Sequence, residues 1–245
     1  MERLDKLLAH EGFGTRKDVK KIIHTGAVTV NGVICKSSNV HINEESDIVC
    51  VNDTELQFHA EMYIMLNKPD GYISATYDKF DPIVLDLIDS SYLVFEPFPV
   101  GRLDIDTEGL LLITNDGELA HQLLSPKKHV DKTYYATIDG LISSSDIVAF
   151  REGLDIGEEA LTLPAILEIV DTYISDSNPV TSYTNITVTI HEGKFHQVKR
   201  MFNAIGRNVL YLKRLSMGNI VLDDTLKLGE YRPLTDEEIA NLKTH

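Results

Sequence analysis

Residues 100–117 read VGRLDIDTEGLLLITNDG and are the most informative stretch of this chain. They place Arg102 and Asp104 in a glycine-flanked loop that runs directly into residues 110–114, which have the apolar pattern of a buried strand. A loop supported by a buried strand holds a reactive side chain rigidly. The stretch therefore predicts a strand-anchored functional loop, with Asp104 as its candidate reactive group.

The composition is that of an ordinary globular protein. The chain has 245 residues, of which 43% are hydrophobic and 25% are charged, and this length suits two or three domains. No apolar run approaches the ~18 residues that a membrane span needs, and the charged N-terminus lacks a signal-peptide core. Cys35 and Cys50 have no disulfide-framework or metal-ligand spacing. We therefore expect buried free thiols, a cytoplasmic location and no membrane partner.

Positive charge is concentrated in two places, although the formal net charge is −15. Residues 1–36 hold seven Lys and Arg against four acidic residues, and residues 190–214 hold six against one. Two basic islands in an acidic protein favour an anionic partner that is bound at defined places. On charge alone, two solvated surfaces are an equally good interpretation.

The first 57 residues have the pattern of a small unit with two helices and a few strands. Leucines at helical spacing predict a first helix, and Thr15 and Gly26 are placed to begin and end a second one. Asn31-Gly32 between two apolar runs predicts a tight β-hairpin. The polar residues 52–61 are interpreted as a linker.

This unit resembles an S4 RNA-binding domain, which we assign to residues 1–57. The matching residues are Arg3-Leu4-Asp5, Leu8, Gly12, Thr15-Arg16, Ile23, Gly26 and Val28-Thr29-Val30-Asn31-Gly32. The resemblance implies that basic side chains contact RNA phosphates, which positions a protein without reading sequence. These predicted RNA-binding residues are Arg3, Arg16, Lys17, Lys20 and Lys21. A structural domain with a basic helix is the alternative.

From Met62 onward, longer strands alternate irregularly with helices. Strands are expected near residues 63–67, 110–114, 130–138, 161–170, 185–190 and 209–212, and helices near residues 83–88, 118–124, 143–150 and 198–205, with a last helix capped by Thr235. Because strict βαβ alternation is absent, we predict an α+β fold with a mostly antiparallel mixed sheet. This second domain is assigned to residues 62–245.

Three other kinds of site fit the residues poorly. Asp104, Asp106 and Glu108 imitate a calcium loop, but Asn115 occupies the twelfth position, where such loops need glutamate. A glycosidase pair of Asp104 and Asp106 is disfavoured, because alternate residues of a strand point to opposite faces. The nine histidines lack metal-ligand spacing and are expected to be structural or surface residues. No nucleotide-binding motif is present, so neither a metal nor a cofactor is predicted.

Several motifs in order resemble the pseudouridine synthases of the small-subunit ribosomal RNA type, the RsuA family. The matching residues span nearly the whole chain: the S4-like unit, Met65-Leu66-Asn67-Lys68-Pro69, Gly71-Tyr72, residues 101–117, Lys132-Thr133-Tyr134, Pro164-Ala165, residues 192–202 and residues 229–235. The resemblance implies an isomerase that flips a uridine out of its RNA, breaks the N1–C1′ bond, rotates the base and rejoins it through C5.

The resemblance also implies roles for five residues. Asp104 matches the family's essential aspartate, and Lys199 matches the basic residue that would keep it ionised and oriented. Tyr134 matches the tyrosine that stacks on the flipped base. Arg102 matches the arginine beside the nucleophile, where it would fill the space that the base vacates, and Val198 matches an apolar residue that packs near the base. The point of attack of Asp104 (C1′, C2′ or C6) stays open.

The predicted partner is ribosomal RNA, most simply that of the small subunit or its assembly intermediate, bound by a monomer. Lys194 and Arg200 are further candidates for RNA contact, and Lys68 is assigned to RNA contact or to solvent. A large-subunit ribosomal RNA synthase of the same superfamily is one alternative, although many of those carry long basic extensions. A non-catalytic S4-domain assembly factor is another, but a binding module would not need Asp104 together with Tyr134 and Lys199.

Overall fold

The computed structural model of this protein describes residues 1–44, 46–56, 61–174 and 182–244. The chain forms two compact units, Met1–Glu61 and Met62–His245. Within the described residues, no helix is both long enough and apolar enough to cross a membrane.

The first unit combines two helices with short strands. The helices are α1 (Leu4–His10) and α2 (Arg16–Thr25), and the strands are β1 (Glu2–Arg3), β2 (Val28–Val30), β3 (Val33–Ile34), β4 (His41–Ile42), β5 (Val49–Val51) and β6 (Thr54–Glu55). Strand β1 pairs with β4, and the other four form a sheet in the order β3-β2-β5-β6.

The predicted ends of α2 are confirmed: the Thr15 hydroxyl accepts a hydrogen bond from the Asp18 amide, and Gly26 is left-handed at φ 82°. Asn31 and Gly32 both have positive φ, as the predicted hairpin turn requires.

Two expectations for this unit need correction. The predicted linker at residues 52–61 is wrong in its first part, because β6 pairs there with β5, and residues 57–60 of that segment lie outside the described residues. Cys35 and Cys50 are free, as expected, but they are half-buried rather than buried.

The second unit is built on one large sheet. Its strands are β7 (Tyr63–Lys68), β8 (Phe98–Pro99), β9 (Glu108–Thr114), β10 (Lys132–Asp139), β11 (Ile166–Ile174), β12 (Ser182–Ile190), β13 (Val209–Met217), β14 (Ile220–Val221) and β15 (Tyr231–Pro233). Its α-helices are α3 (Gly117–Leu124), α4 (Ser144–Glu152), α5 (Gln197–Ala204) and α6 (Asp236–Lys243), with short 3₁₀ helices at Val84–Leu87, Ser90–Phe95 and Pro126–Lys128.

The strand order is β11-β12-β10-β13-β9-β7-β15, with β14 paired to β13 and β8 paired to β9. All of these pairings are antiparallel except that of β9 with β13, so the predicted mixed, mostly antiparallel α+β fold is confirmed. Strand β11 begins at Ile166, later than the predicted residue 161. The reason is that the Thr162 and Ala165 amides donate to the carbonyls of Leu154 and Phe150, so this segment is bonded towards α4 rather than to the sheet.

Strand β9 is buried on both faces of the sheet. Leu111 and Ile113 lie in one hydrophobic cluster with α4 and α5, whereas Leu110 and Leu112 lie in another with α3 and α6. Covering both faces explains why this strand is a continuous apolar run instead of an alternating one. The loop that precedes β9 is therefore joined to a strand that is buried on both faces.

Arg232 of β15 ties the last helix to the sheet. Its Nε lies 2.7 Å from the Asp223 carboxylate, and its two terminal nitrogens lie 2.8 and 2.9 Å from the oxygens of Glu238. Hydrogen bonds from Thr225 and Arg232 hold the pKa of Asp223 at about 2. Arg232 also lowers the pKa of Glu238.

Candidate active site

The loop before β9 opens onto a cavity of about 500 Å³ within the second unit, a size typical of small-ligand sites. Its wall comprises the loop itself, alternate residues of β10 and β13, and the segment that leads into α5. Its lining residues include Ser74, Arg102, Leu103, Asp104, Ile105, Thr107, Lys132, Tyr134, Lys194, Phe195, His196, Gln197, Val198, Lys199, Leu212 and Arg214.

Buried side chains hold the backbone of this loop in place. The Ser74 hydroxyl donates to the carbonyl of Leu103 and accepts from its amide, both at 3.0 Å. The Lys68 ammonium donates to the carbonyls of Ile105 and Thr107 at 3.0 and 2.9 Å, and also to Pro69. The assignment of Lys68 to RNA contact or solvent is wrong, because this side chain is fully buried. Burial lowers its pKa to about 8.

A glycine brings the end of the loop against β13. Gly109 has φ 98°, and a Cβ placed on it would lie 2.3 Å from the carbonyl oxygen of Arg214. Gly109 pairs with Arg214 in the parallel ladder of β9 and β13. Only glycine permits both this φ and this approach, so Gly109 connects the Asp104 loop to the strand that carries Arg214.

Lys199 of α5 lies between two carboxylates of the loop. Its ammonium is 3.1 Å from Asp104 Oδ2 and 2.6 Å from Asp106 Oδ1. The expectation that Asp104 and Asp106 point to opposite faces is wrong, because they lie in a turn, closed by a hydrogen bond from the Thr107 amide to the Asp104 carbonyl, and not in a strand.

Charge pairing between Lys199 and Asp106 outweighs burial in setting the pKa of each of these two groups. Burial alone would lower the pKa of Lys199, but hydrogen bonds with Asp106 and Asp104 outweigh it and leave the pKa above its ordinary value. Burial alone would raise the pKa of Asp106, yet its bond with Lys199 lowers the pKa overall. The arrangement thus keeps a positive charge beside Asp104.

His196 is a site residue that sequence reasoning missed. Its Nε2 lies 3.4 Å from Asp104 Oδ1, opposite the oxygen that faces Lys199. The ring stacks on Phe195 with a centroid distance of 3.8 Å, and Phe195 itself is 73% exposed. His196 therefore lines the cavity next to Asp104 while its side chain remains partly exposed. Its position three residues before Lys199 was the available clue.

The segment before α5 is braced internally. The buried Gln197 side chain accepts from the Lys194 amide and donates to Glu192, both at 2.9 Å. Arg200, which was predicted to contact RNA, is already bonded within the unit: it donates to Glu158 at 2.7 Å and to the carbonyl oxygen of Ile156. Lys194 lines the cavity, with its ammonium 3.6 Å from Glu192.

Three more of the predicted residues share the cavity wall with Asp104 and Lys199. Tyr134 is 8% exposed and Val198 is 4% exposed, and both also belong to the core of the unit. Arg102 is exposed. The structure therefore brings all five residues predicted for the reaction to one cavity.

Two further cations, missed by sequence reasoning, lie deep in the same cavity. Lys132 and Arg214 are 7% and 2% exposed. Burial and the nearby charge of Arg214 lower the pKa of Lys132 to about 8. In the part of the chain that the structure describes, no group of three or more His, Cys, Asp or Glu is arranged to hold a metal ion.

The predicted RNA-binding residues of the first unit differ in their surroundings. Arg16 and Lys17 are exposed. Arg3 forms a two-point pair with Asp5, at 3.0 and 2.9 Å. Two lysines of α2 also lie near carboxylates: Lys20 is 3.9 Å from Asp5, and Lys21 is 2.9 Å from Asp18.

Two models of known protein families match this chain. Residues 62–204 match the model of the RNA pseudouridylate synthase family, and residues 2–53 match that of the S4 domain. The chain belongs to the RNA pseudouridylate synthase family. Members of this family are isomerases, and the resemblance that the motifs indicated is confirmed.

Relatives of this pseudouridylate synthase match it along its full length. It is 48% identical to an uncharacterised RNA pseudouridine synthase of Bacillus subtilis, over 97% of this chain and 96% of the relative. It is 42% identical to the ribosomal small subunit pseudouridine synthase A of Vibrio cholerae, over 98% of this chain and 99% of the relative. A crystal structure of a pseudouridylate synthase with 40% identity superimposes with a TM-score of 0.69, over 99% of this chain and all of that one.

Proposed function

We propose that this protein converts a specific uridine of small-subunit ribosomal RNA to pseudouridine, with Asp104 as the nucleophile. Membership of the family supports the reaction, and relatives named as small-subunit enzymes, such as that of Vibrio cholerae, support the substrate. The observation that carries the proposal is the Asp104 carboxylate at the cavity wall, 3.1 Å from the Lys199 ammonium.

A carboxylate suits the task because it can attack the nucleotide and still depart from it. Lys199 provides the fixed positive charge that orients Asp104, and Asp106 shares that charge from the other side. Such preorganised charge needs no rearrangement at the moment of reaction. Lys199 is therefore a positioning residue for the nucleophile, and its own position depends on both carboxylates.

The remaining predicted residues bind the flipped nucleotide. Tyr134 stacks on the base, a contact that contributes ~1–3 kcal/mol for each base. Val198 packs beside it. Arg102, which is exposed beside the nucleophile, takes the place that the uridine leaves in the RNA.

The basic residues predicted to bind RNA supply the rest of the affinity. The exposed pair Arg16 and Lys17 contacts phosphates, together with Arg3, Lys20 and Lys21 in the first unit and Lys194 in the second. Arg200 contributes by bracing the cavity wall, since its guanidinium is already bonded to Glu158. The cytoplasmic location and the monomeric state stay predictions.

The experiment that tests this proposal compares small-subunit and large-subunit ribosomal RNA as substrates, each as a naked transcript and as a partly assembled subunit. Pseudouridine is mapped by carbodiimide modification followed by reverse transcription. The proposal expects one new site in the small-subunit RNA. A site found only in large-subunit RNA would contradict the assigned substrate, and binding without any new pseudouridine would favour the non-catalytic assembly factor.

A further inference from the structure

Lys132 and Arg214 form a pair of buried cations whose role the proposed mechanism does not explain. They lie on adjacent strands, β10 and β13, where Arg214 stands directly opposite Tyr134. Lys132 is two residues before Tyr134, so its side chain leaves the same face of the sheet. Both cations line the cavity that contains Asp104.

The guanidinium of Arg214 is only partly satisfied by the protein. Its Nε donates to the carbonyl oxygen of Leu110 at 2.7 Å. Its Nη2 nitrogen is buried, and in the described part of the chain this atom has no hydrogen-bond partner. Two other buried side-chain atoms there, of Asn67 and Thr107, also lack partners, but that of Arg214 is the charged one. A buried charged donor without an acceptor is costly, so this group fits a ligand that brings the acceptor.

The Lys132 ammonium likewise has N–H groups that are not bonded to the described part of the protein. Its ammonium donates to the carbonyl oxygen of Val130 at 2.8 Å, which uses one of its three N–H groups. Two cations that are both more than nine-tenths buried repel each other. A negative or strongly polar acceptor between them would relieve this repulsion.

Depth in the cavity indicates which part of a nucleotide meets this pair. Arg102 and Phe195 are exposed at the mouth, whereas Tyr134, Lys132 and Arg214 are buried. A flipped nucleotide stacked on Tyr134 therefore keeps its phosphates near the mouth and directs the edge of its base inwards. Uracil presents carbonyl oxygens on that edge, which accept hydrogen bonds, whereas cytosine presents an amino group in place of one of them.

We propose that Arg214 and Lys132 form a subsite that binds the carbonyl oxygens of the flipped uracil and stabilises the negative charge that the base acquires during the reaction. The inference rests on the proposed function. Breaking the N1–C1′ bond leaves its electron pair on the base, which then bonds to C1′ through C5. The C5 proton is lost and N1 takes up a proton, so the reaction is a balanced isomerisation. Fixed donors aimed at the oxygens that carry this charge lower the barrier.

The test uses the full chain and small-subunit ribosomal RNA labelled with tritium at uridine C5. Arg214→Gln, Lys132→Met and Lys132→Arg are compared with wild type and with Arg151→Gln, a control on the exposed face of α4. Tritium release in a single turnover reports the chemistry, filter binding reports RNA affinity, and thermal melting reports folding. Lys132→Met retains the bond between Arg214 and Leu110 and is thus informative even where Arg214→Gln does not fold.

The subsite predicts that Arg214→Gln and Lys132→Met each slow tritium release by ~100-fold, the usual effect of removing one such donor. RNA affinity should stay within about twofold, because most of it comes from phosphate contacts outside the cavity. Lys132→Arg, which keeps the charge, should recover most of the rate. Tritium release near the wild-type rate in Lys132→Met, or a loss matched by Lys132→Arg, would overturn the subsite. A wild-type protein that releases no tritium from any ribosomal RNA would overturn the proposed function itself.

Discussion

Replacing Gly109 with alanine should destabilise the second unit and disconnect the Asp104 loop from β13. The new Cβ would lie 2.3 Å from the carbonyl oxygen and 2.8 Å from the amide nitrogen of Arg214. Both are backbone atoms, so the clash is relieved only by opening the two-residue ladder between β9 and β13. The left-handed φ costs a non-glycine residue about 1–3 kcal/mol, and overpacking costs about 1–3 kcal/mol more.

The expected result is a Tm at least about 4 °C below that of wild type, since 1 kcal/mol shifts the Tm of a domain of this size by about 2–4 °C. Pseudouridine formation at 25 °C should fall further than the folded fraction does, because Arg214 and the loop move apart. Gly117→Ala is the matched control: its Cβ would meet nothing within 4 Å, and alanine suits the first position of α3. Equal melting temperatures and equal activities for the two variants would refute the reasoning.

Three further predictions concern loop support, RNA contact and acid stability. Lys68→Met should slow tritium release by ~10-fold or more at saturating RNA, because Lys68 holds the loop that carries Asp104 and a small displacement of a reactive group is costly. Full activity of this variant would contradict the role of Lys68 in supporting the loop. Replacing both Arg16 and Lys17 with alanine should weaken RNA binding. In filter binding, the slope of log affinity against log salt should fall by about 1.4, at ~0.7 for each lost phosphate contact. An unchanged slope would exclude such contacts. Hydrogen bonds from Thr225 and Arg232 give Asp223 a pKa of about 2 when folded, below its unfolded value of about 3.9. These bonds stabilise the fold above the unfolded pKa, and the share that Arg232 contributes is lost as the pH falls towards the folded pKa. Melting curves should therefore show the Tm advantage of wild type over Arg232→Met shrinking between about pH 5 and pH 2, and a constant difference would contradict this.

Local features of the fold could be predicted because their causes lie within a few residues. Thr15 and Thr235 each cap the helix that follows them, and Asn31-Gly32 makes its turn by backbone conformation alone. The start of β11 was predicted wrongly, because hydrogen bonds between Thr162 and Leu154 compete with the sheet. Such competition between segments is not visible in the residues of either one.

The same distinction between local causes and contacts of distant segments applies to the candidate site. Asp104 stands out because a glycine-flanked loop leads into a buried apolar strand. The second carboxylate contact of Lys199 was missed, because Asp106 was assigned the alternation of a strand and instead lies in a turn. Lys68 and Arg214 were not recognised as parts of the site, since a basic residue in a strand gives no indication from the sequence that it is buried. The contacts that place them, to Thr107 and to Leu110, join segments far apart in the sequence.

The most direct test of the central claim is tritium release from small-subunit ribosomal RNA labelled at uridine C5, measured for wild type, Asp104→Asn and Asp106→Asn. Wild type should release tritium as the new C5–C1′ bond forms. Asp104→Asn should reduce release by ~10⁴-fold or more, as loss of a nucleophile does, while RNA binding is retained. Asp106→Asn should keep a measurable rate, since it removes only one of the two carboxylates that hold Lys199. Undiminished release by Asp104→Asn would show that this carboxylate is not the nucleophile and would contradict the account.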